Sequence, residues 1–140
     1  FLKEDKQLGE EIEKIKGKKI IFTNGSLAHA KNVTKRLGIE RYFDDIFDIV
    51  SADFIPKPSI VTYKKIIEKY TIEPQYSIFI EDIARNLKPA HELGMKTVWI
   101  INDEPWAAEF SDSSFINYKT DKLSKFLKEI NENRWTWKNN

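Results

Sequence analysis

The sequence predicts an α/β fold built on a parallel sheet, and two observations lead to that prediction. Short apolar runs alternate along the chain with segments of helical periodicity, which is typical of repeated strand–helix units. The runs are largely continuous, with few polar residues between the apolar ones, as expected where helices cover both faces of a parallel sheet. We therefore expect a Rossmann-like three-layer sandwich.

Each element has its own signal. The first helix carries Leu8, Ile12 and Ile15 at helical spacing, and the second begins at a capping residue, Ser26, and ends at Gly38. Strands are expected where β-branched and aromatic residues cluster between turn signals. The predicted order is helix 5–16, strand 19–23, helix 26–38, strand 47–51, a helix carrying Ile60 to Tyr70, strand 77–81, helix 84–93, strand 97–101 and helix 121–132.

Length and composition favour a single globular domain over residues 1–140, ending in a tail over 133–140. The 23 basic and 22 acidic side chains nearly cancel, so no overall field attracts a nucleic acid polymer or an anionic membrane. Cysteine is absent, the apolar runs are too short to span a bilayer, and no signal-peptide pattern opens the chain. A cytoplasmic location is the resulting expectation.

Chemistry-bearing side chains gather where the predicted strands end. Thr23 closes the first strand, Glu81 and Asp82 close the third, and Lys57 follows the second by a short loop. Ligands of open α/β sheets bind outside the carboxyl ends of the strands. One edge of the sheet is therefore expected to collect all four residues.

These groups suit a metal-assisted phosphoryl-transfer site. The Thr23 hydroxyl and the backbone N–H groups of Asn24 and Gly25 can donate to phosphoryl oxygens, and Lys57 can neutralise charge. The paired carboxylates offer the hard oxygen ligands that Mg²⁺ prefers. Phosphoryl transfer depends chiefly on such positioning and charge neutralisation.

Each feature also has a purely structural interpretation. The segment Thr23-Asn24-Gly25 is compatible with a simple turn, and Lys57-Pro58 with a solvated loop before a helix. Glu81-Asp82 before a helix suits N-terminal capping with favourable dipole electrostatics. Their order on successive strand ends favours a shared site over three separate explanations.

Motifs in this order resemble those of the haloacid dehalogenase (HAD) superfamily of phosphohydrolases. The strand from Ile20 to Thr23 resembles the family's second motif, and Lys57 before a helix resembles the third. The strand from Ile78 to Asp82 resembles the fourth, with Asn86 as the polar residue four positions further on. The resemblance implies a Mg²⁺-dependent phosphomonoester hydrolase, with Lys57 and Thr23 as catalytic residues and Asp82 and Glu81 as metal ligands.

The connecting segments extend this resemblance, which covers residues 17–101. Two runs resemble the links between the family's motifs: 37–44 and 90–98. Three further segments resemble the pyrimidine 5′-nucleotidase branch: Thr23-Asn24-Gly25, the step from Asp82 to Asn86, and the run from Tyr118 to Leu123. That branch implies a nucleotide or another small phosphate as the substrate.

One motif of the family is missing. Its nucleophile and its acid–base group are the aspartates of an Asp-x-Asp on the central strand, and the nucleophile forms an aspartyl-phosphate. No two aspartates of these 140 residues are separated by a single residue, and the only methionine is Met95. We therefore expect the central strand and the cap that follows it to precede Phe1. The core is expected to be incomplete, and residues 1–140 alone to be inactive without that missing N-terminal segment.

Two other functions stay open. A receiver-type phosphoacceptor domain uses similar residues but places the acid pair on the first strand, whereas the order here is Thr23, Lys57, Glu81-Asp82. A non-catalytic module, or an inactive fragment, would keep the phosphate and metal pocket without a nucleophile. Mg²⁺-dependent phosphate binding without turnover would favour the latter.

Overall fold

A computed structural model describes residues 3–132 of the chain, and the predicted tail over 133–140 lies outside the described residues. Strands and helices alternate along this part. The strands are β1 (Ile20–Phe22), β2 (Asp45–Phe47), β3 (Ile78–Glu81), β4 (Lys96–Ile100) and β5 (Tyr118–Thr120). The helices are α1 (Lys6–Lys14), α2 (Leu27–Leu37), α3 (Ile60–Tyr70), α4 (Lys88–Glu92), α5 (Pro105–Ala108) and α6 (Leu123–Asn131).

Every strand pairing in the described residues is parallel, which confirms the predicted α/β class. One sheet has the order β1-β2, and the other has the order β3-β4-β5. Within these sheets β1 pairs only with β2 and β3 only with β4, so each keeps one edge with no strand partner among the described residues.

The described chain falls into two compact units. The first unit comprises residues 3–56 and 124–132, and the second comprises residues 57–123. The interpretation of residues 1–140 as one domain stays a prediction. None of the helices between residues 3 and 132 combines the length and apolarity needed to cross a membrane, and the cytoplasmic location stays a prediction.

The first unit owes its helix boundaries to local signals. Asp5 caps α1 by accepting a bond from the Leu8 N–H, and Ser26 caps α2 by accepting one from the His29 N–H. Gly38 ends α2 at φ 75°, a left-handed conformation that glycine adopts without steric cost. These short-range features confirm the predictions made for both helices.

The second unit is built around β4, the middle strand of its sheet. Val98 and Thr97 are fully buried there. Thr97 also exchanges hydrogen bonds with Asn117: its backbone N–H donates to Asn117 Oδ1, and its hydroxyl oxygen accepts from the Asn117 N–H. These bonds fix the end of the long loop that connects β4 to β5.

Two predicted elements were wrong in extent, and two observed elements were not predicted. The strand expected over 47–51 lies at Asp45–Phe47, because the residues that follow turn away around the Asp48 carboxylate. The helix expected over 84–93 is divided into a 3₁₀ turn (Ala84–Leu87) and α4, since Pro89 in the first turn of α4 has no N–H to bond backwards. The short strand β5 and the single turn α5 were not predicted.

Candidate active site

The end of β1 folds into a tight turn around the Thr23 hydroxyl, here named the Thr23 turn (residues 23–25). The Thr23 N–H donates to the Phe47 carbonyl at 3.0 Å, and the Gly25 N–H donates to Thr23 Oγ at 3.0 Å. Because the hydroxyl oxygen accepts this bond, its orientation is set and its own proton can be donated to a ligand. The Gly25 N–H, predicted to donate to phosphate, is used within the turn. The side chain of Asn24 is exposed.

Asp48 supports the Thr23 turn from the end of β2. Its carboxylate accepts bonds from the Ser51 N–H at 3.0 Å and from Ser51 Oγ at 2.8 Å. These two bonds, together with the backbone N–H groups of Leu27 and Val50, hold the pKa of Asp48 below its ordinary value. The Ile49 N–H donates to the Gly25 carbonyl, so the turn after β2 is bonded directly to the Thr23 turn.

A buried ion pair dominates the second unit. Lys57 Nζ lies 2.7 Å from Glu81 Oε1, and both side chains are only 7% exposed. Glu81 Oε2 accepts the N–H groups of Asp82 at 3.0 Å and Ile83 at 3.1 Å, and Asn86 Nδ2 donates to Oε1 at 3.3 Å. Four donors therefore surround one carboxylate, which compensates the cost of burying its charge.

The two adjacent carboxylates have opposite pKa shifts. Burial raises the pKa of Glu81, but the Lys57 ammonium and the hydrogen bonds outweigh burial, so the pKa lies below its ordinary value. The hydrogen bond to Glu81, together with partial burial and the negative charge of Glu81, raises the pKa of Asp82 to about 6. Asp82 is also exposed, whereas Glu81 is buried. The pair thus consists of an inner counter-ion for lysine and an outer carboxyl group that faces solvent.

Residues 82–86, here named the acid loop, are held by side chains that the sequence did not reveal. Trp99 Nε1 donates to the Asp82 carbonyl at 2.8 Å, and the Tyr63 hydroxyl donates to the Asn86 carbonyl. Trp99 lies within the strand predicted over 97–101 and Tyr63 within the predicted helix that carries Ile60 to Tyr70, and no site role was predicted for either. The available signal is the residue type itself, since the N–H of a buried tryptophan or the O–H of a buried tyrosine needs a partner.

The residues present fit a hard divalent cation. The exposed Asp82 carboxylate would offer one oxygen ligand, and Asn86 Oδ1 is a buried oxygen with no hydrogen-bond partner among the described residues. Residues 3–132 contain no group of three or more acidic, histidine or cysteine side chains suited to a metal. Mg²⁺ needs no such cage, because it commonly binds one or two carboxylates together with waters and substrate phosphate. Glu81, predicted as a second ligand, has its lone pairs directed at Lys57 and three N–H donors.

The second unit thus brings together four of the predicted site residues: Lys57, Glu81, Asp82 and Asn86. The other three, Thr23, Asn24 and Gly25, lie in the Thr23 turn of the first unit. Thr23 directly follows β1, and Glu81 is the last residue of β3, so each group includes a residue at the carboxyl end of a parallel strand. The convergence of both groups on one ligand stays a prediction.

Comparison with known proteins decides the family. The family described as haloacid dehalogenase-like hydrolase matches residues 4–100. This chain belongs to that family. The match includes both the Thr23 turn and the acid loop, so the motif resemblance in the sequence is confirmed at the level of the family.

Individual proteins agree with this assignment. The glyceraldehyde 3-phosphate phosphatase of Methanocaldococcus jannaschii is 27% identical over 109 residues, which are 76% of this chain and 46% of that protein. A putative β-phosphoglucomutase from Thermotoga maritima has the same fold, with a TM-score of 0.72 at 22% identity over 94% of this chain and 62% of the other. The chain spans about half the length of the curated phosphatase.

A third relative in fold has been solved with a metal. The putative HAD-hydrolase YfnB from Bacillus subtilis, described as bound to magnesium, gives a TM-score of 0.67 at 19% identity. The alignment covers 87% of this chain and 54% of that one. At this identity the similarity shows the fold alone.

Proposed function

We propose that this chain supplies part of the active site of a Mg²⁺-dependent phosphomonoester hydrolase. The observation that carries the proposal is the buried Lys57–Glu81 pair, 2.7 Å apart, directly beside the exposed Asp82 carboxyl. An ammonium group fixed next to a candidate cation ligand suits a reaction whose main demand is neutralisation of phosphoryl charge.

Each residue has a role in this proposal. Lys57 neutralises charge on the phosphoryl group, and Glu81 holds the lysine in place. The Thr23 hydroxyl, oriented by the Gly25 N–H at 3.0 Å, donates its proton to a phosphoryl oxygen. Asp82 holds Mg²⁺, with Asn86 in support. When bound, Mg²⁺ would neutralise further charge on the phosphoryl oxygens.

The nucleophile must come from outside residues 1–140, which contain no Asp-x-Asp. In the proposed route a carboxylate attacks phosphorus, the ester oxygen leaves as an alcohol after protonation, and water then hydrolyses the aspartyl-phosphate. We propose that a further segment of the same protein carries this carboxylate on a strand. The edge of β3 without a strand partner among the described residues could accept such a strand by parallel backbone pairing.

Hydrolysis of p-nitrophenyl phosphate tests this division of labour. The purified 140-residue chain should show no turnover above buffer with Mg²⁺, and a peptide forming an apolar strand that ends in Asp-x-Asp should restore turnover. The same peptide with both aspartates changed to asparagine is the matched control. Turnover by the chain alone would contradict the proposal that the nucleophile is supplied from elsewhere.

The substrate class is proposed as a nucleotide or another small phosphate. The support is the resemblance of the Thr23 turn and the acid loop to the pyrimidine 5′-nucleotidase branch, together with a relative that is named as a phosphatase of a three-carbon sugar phosphate. Release of phosphate from UMP, CMP and glyceraldehyde 3-phosphate by the reconstituted protein would separate these two classes.

A non-catalytic phosphate- and metal-binding module is the second candidate. The observation that favours it is that Lys57, Glu81 and Asp82 are already arranged within one unit of a chain that has no Asp-x-Asp. Mg²⁺-dependent binding of inorganic phosphate, measured by calorimetry, combined with no turnover in the presence of the peptide would support this candidate. Membership of the hydrolase family sets the receiver-type alternative aside.

A further inference from the structure

The acid loop is bonded at both of its ends by buried aromatic side chains. Trp99 Nε1 donates to the carbonyl of Asp82, the first residue of the loop, at 2.8 Å. The Tyr63 hydroxyl donates to the carbonyl of Asn86, the last residue. Both acceptors are backbone carbonyls, so these bonds fix the path of the chain whatever side chains the loop carries.

Trp99 reaches the loop from the middle strand of the sheet. It lies opposite Glu81 in the β3–β4 register, is only 5% exposed, and packs in a cluster with Ala84 and Leu87. The apolar surroundings account for burial of the indole ring, whereas its N–H needs a hydrogen-bond acceptor, and the Asp82 carbonyl is that acceptor.

Tyr63 reaches the other end of the loop from α3. It is 1% exposed, and its ring meets the edge of Phe79 at a centroid distance of 5.7 Å. Burial and the charge of Glu81 raise the pKa of this phenol far above its ordinary value, so the hydroxyl keeps its proton and remains a donor. A buried hydroxyl is costly unless it is bonded, and the Asn86 carbonyl provides that bond.

We propose that Trp99 and Tyr63 form an aromatic clamp, a pair of positioning residues that holds the acid loop so that Asp82 presents its carboxyl group outward. The clamp acts on the backbone beside the proposed metal ligand and touches neither metal nor substrate. Its role in metal binding rests on the proposed function, whereas its hold on the loop does not.

Amide hydrogen exchange of the 140-residue chain tests the hold on the loop. Tyr63→Phe deletes one donor and keeps the ring, whereas Trp99→Phe deletes one donor and replaces the indole by a smaller ring. Exchange at Ile83 and Asn86 should accelerate on the order of tenfold in each, the loss expected of one hydrogen bond. Amides of β4 and of the first unit should change far less. Equal acceleration throughout the chain would show a merely structural role and overturn the clamp.

The matched controls carry the same chemical changes at exposed positions. Trp106 is 52% exposed and Tyr76 is 64% exposed, both in the second unit. Trp106→Phe and Tyr76→Phe should leave exchange in the acid loop unchanged. Acceleration of the loop by either control to the level of the clamp variants would also overturn the proposal.

Calorimetric titration with Mg²⁺ extends the test to the proposed function. If the unsubstituted chain binds Mg²⁺, each clamp variant should weaken the affinity about tenfold, as expected when a group that orients a ligand is lost. Unchanged affinity in both variants would remove the clamp from metal binding. Absence of Mg²⁺ binding in the unsubstituted chain would instead count against the proposed function, and hydrogen exchange would still decide whether the clamp holds the loop.

Discussion

The two strand ends that carry the predicted site residues are built in different ways. In the second unit, a full positive charge and a full negative charge are buried together at 2.7 Å, and the carboxylate accepts three further N–H donors. In the first unit, the Thr23 turn is held by neutral hydrogen bonds between a hydroxyl and the backbone, and its supporting charge, Asp48, is paired with N–H groups and a serine hydroxyl.

This difference indicates how each end can contribute to chemistry. The buried pair fixes the lysine before any ligand arrives, which is the preorganisation that electrostatic catalysis needs, but its integrity is tied to the stability of the fold. The Thr23 turn rests on neutral hydrogen bonds, so losing one of them should lower the free energy of unfolding only slightly. Substitutions should therefore affect stability strongly at Lys57 and weakly at Thr23.

The largest effect is expected from Lys57→Met. Removal of the ammonium leaves the Glu81 carboxylate buried without its counter-ion, which should lower the free energy of unfolding by about 3–5 kcal/mol. Urea unfolding at pH 7 measures this. Lys119→Met is the control, because the Lys119–Asp112 pair is exposed at 45% and 104%, so its loss should lower stability far less than loss of the buried pair. Equal losses in the two variants would contradict the contrast between the strand ends.

Asp48→Ala is expected to have the next largest effect, now in the first unit. The N–H groups of Ser51, Leu27 and Val50 lose their acceptor, so the free energy of unfolding should fall by about 1–3 kcal/mol. Asp48→Asn keeps an acceptor oxygen and should recover part of the loss. Since the pKa of Asp48 is lowered on folding, its contribution is present at neutral pH and is lost as the pH falls through the acidic range. If both variants unfold like the unsubstituted chain at neutral pH, Asp48 does not support the turn.

The sequence predicted best what short-range chemistry decides. Ser26 and Gly38 were identified as the ends of α2 because a cap and a left-handed glycine act within one helical turn. The second strand was predicted over 47–51 but lies at Asp45–Phe47, because a side-chain interaction of Asp48 was not foreseen. Ile49, Val50 and Ser51 suit a strand by composition, but the Asp48 carboxylate takes up N–H groups that a strand would need for pairing.

The division of roles between Glu81 and Asp82 could not be predicted from their adjacency. Glu81 is the last residue of β3 and lies opposite Trp99 in the register, so its side chain is buried, whereas Asp82 follows the strand and is exposed. That assignment depends on where the strand ends relative to β4. The same long-range information places Tyr63 and Trp99 at the two ends of the acid loop, which is why no site role was predicted for either.

Thr23→Val should have a small effect on stability. The substitution keeps the shape of the side chain but removes the acceptor of the Gly25 N–H, so the loss should be roughly 0.5–1.5 kcal/mol in urea unfolding. Thr23→Ser retains the hydroxyl. Its stability, and its binding of inorganic phosphate, should therefore match those of the unsubstituted chain. Loss of stability similar to that of Lys57→Met would show that the Thr23 turn is as integral to folding as the ion pair.

The smallest effect, and the only stabilising one, is expected from Asp82→Asn. Folding raises the pKa of Asp82 to about 6, so the folded state binds this proton more tightly than the unfolded chain does. Its contribution is therefore complete below the ordinary carboxyl pKa and is lost as the pH rises through about 6. An asparagine amide can donate to Glu81 at any pH, so the variant should match the unsubstituted chain near pH 4 and exceed it at pH 7. The pKa of Glu81 is lowered on folding, so protonation of Glu81 should destabilise both proteins as the pH falls further.

Urea unfolding of both proteins across this pH range, with and without Mg²⁺, measures the difference. A metal bound by the ionised Asp82 carboxylate should stabilise the unsubstituted chain at pH 7 and leave Asp82→Asn unchanged, which would reverse their order. If Asp82→Asn is the less stable protein at pH 7 without metal, the ionised Asp82 carboxylate does not destabilise this strand end. Stabilisation of both proteins by Mg²⁺ would instead place the cation elsewhere. The pair of measurements therefore separates the electrostatics of the acid pair from the identity of the metal ligand.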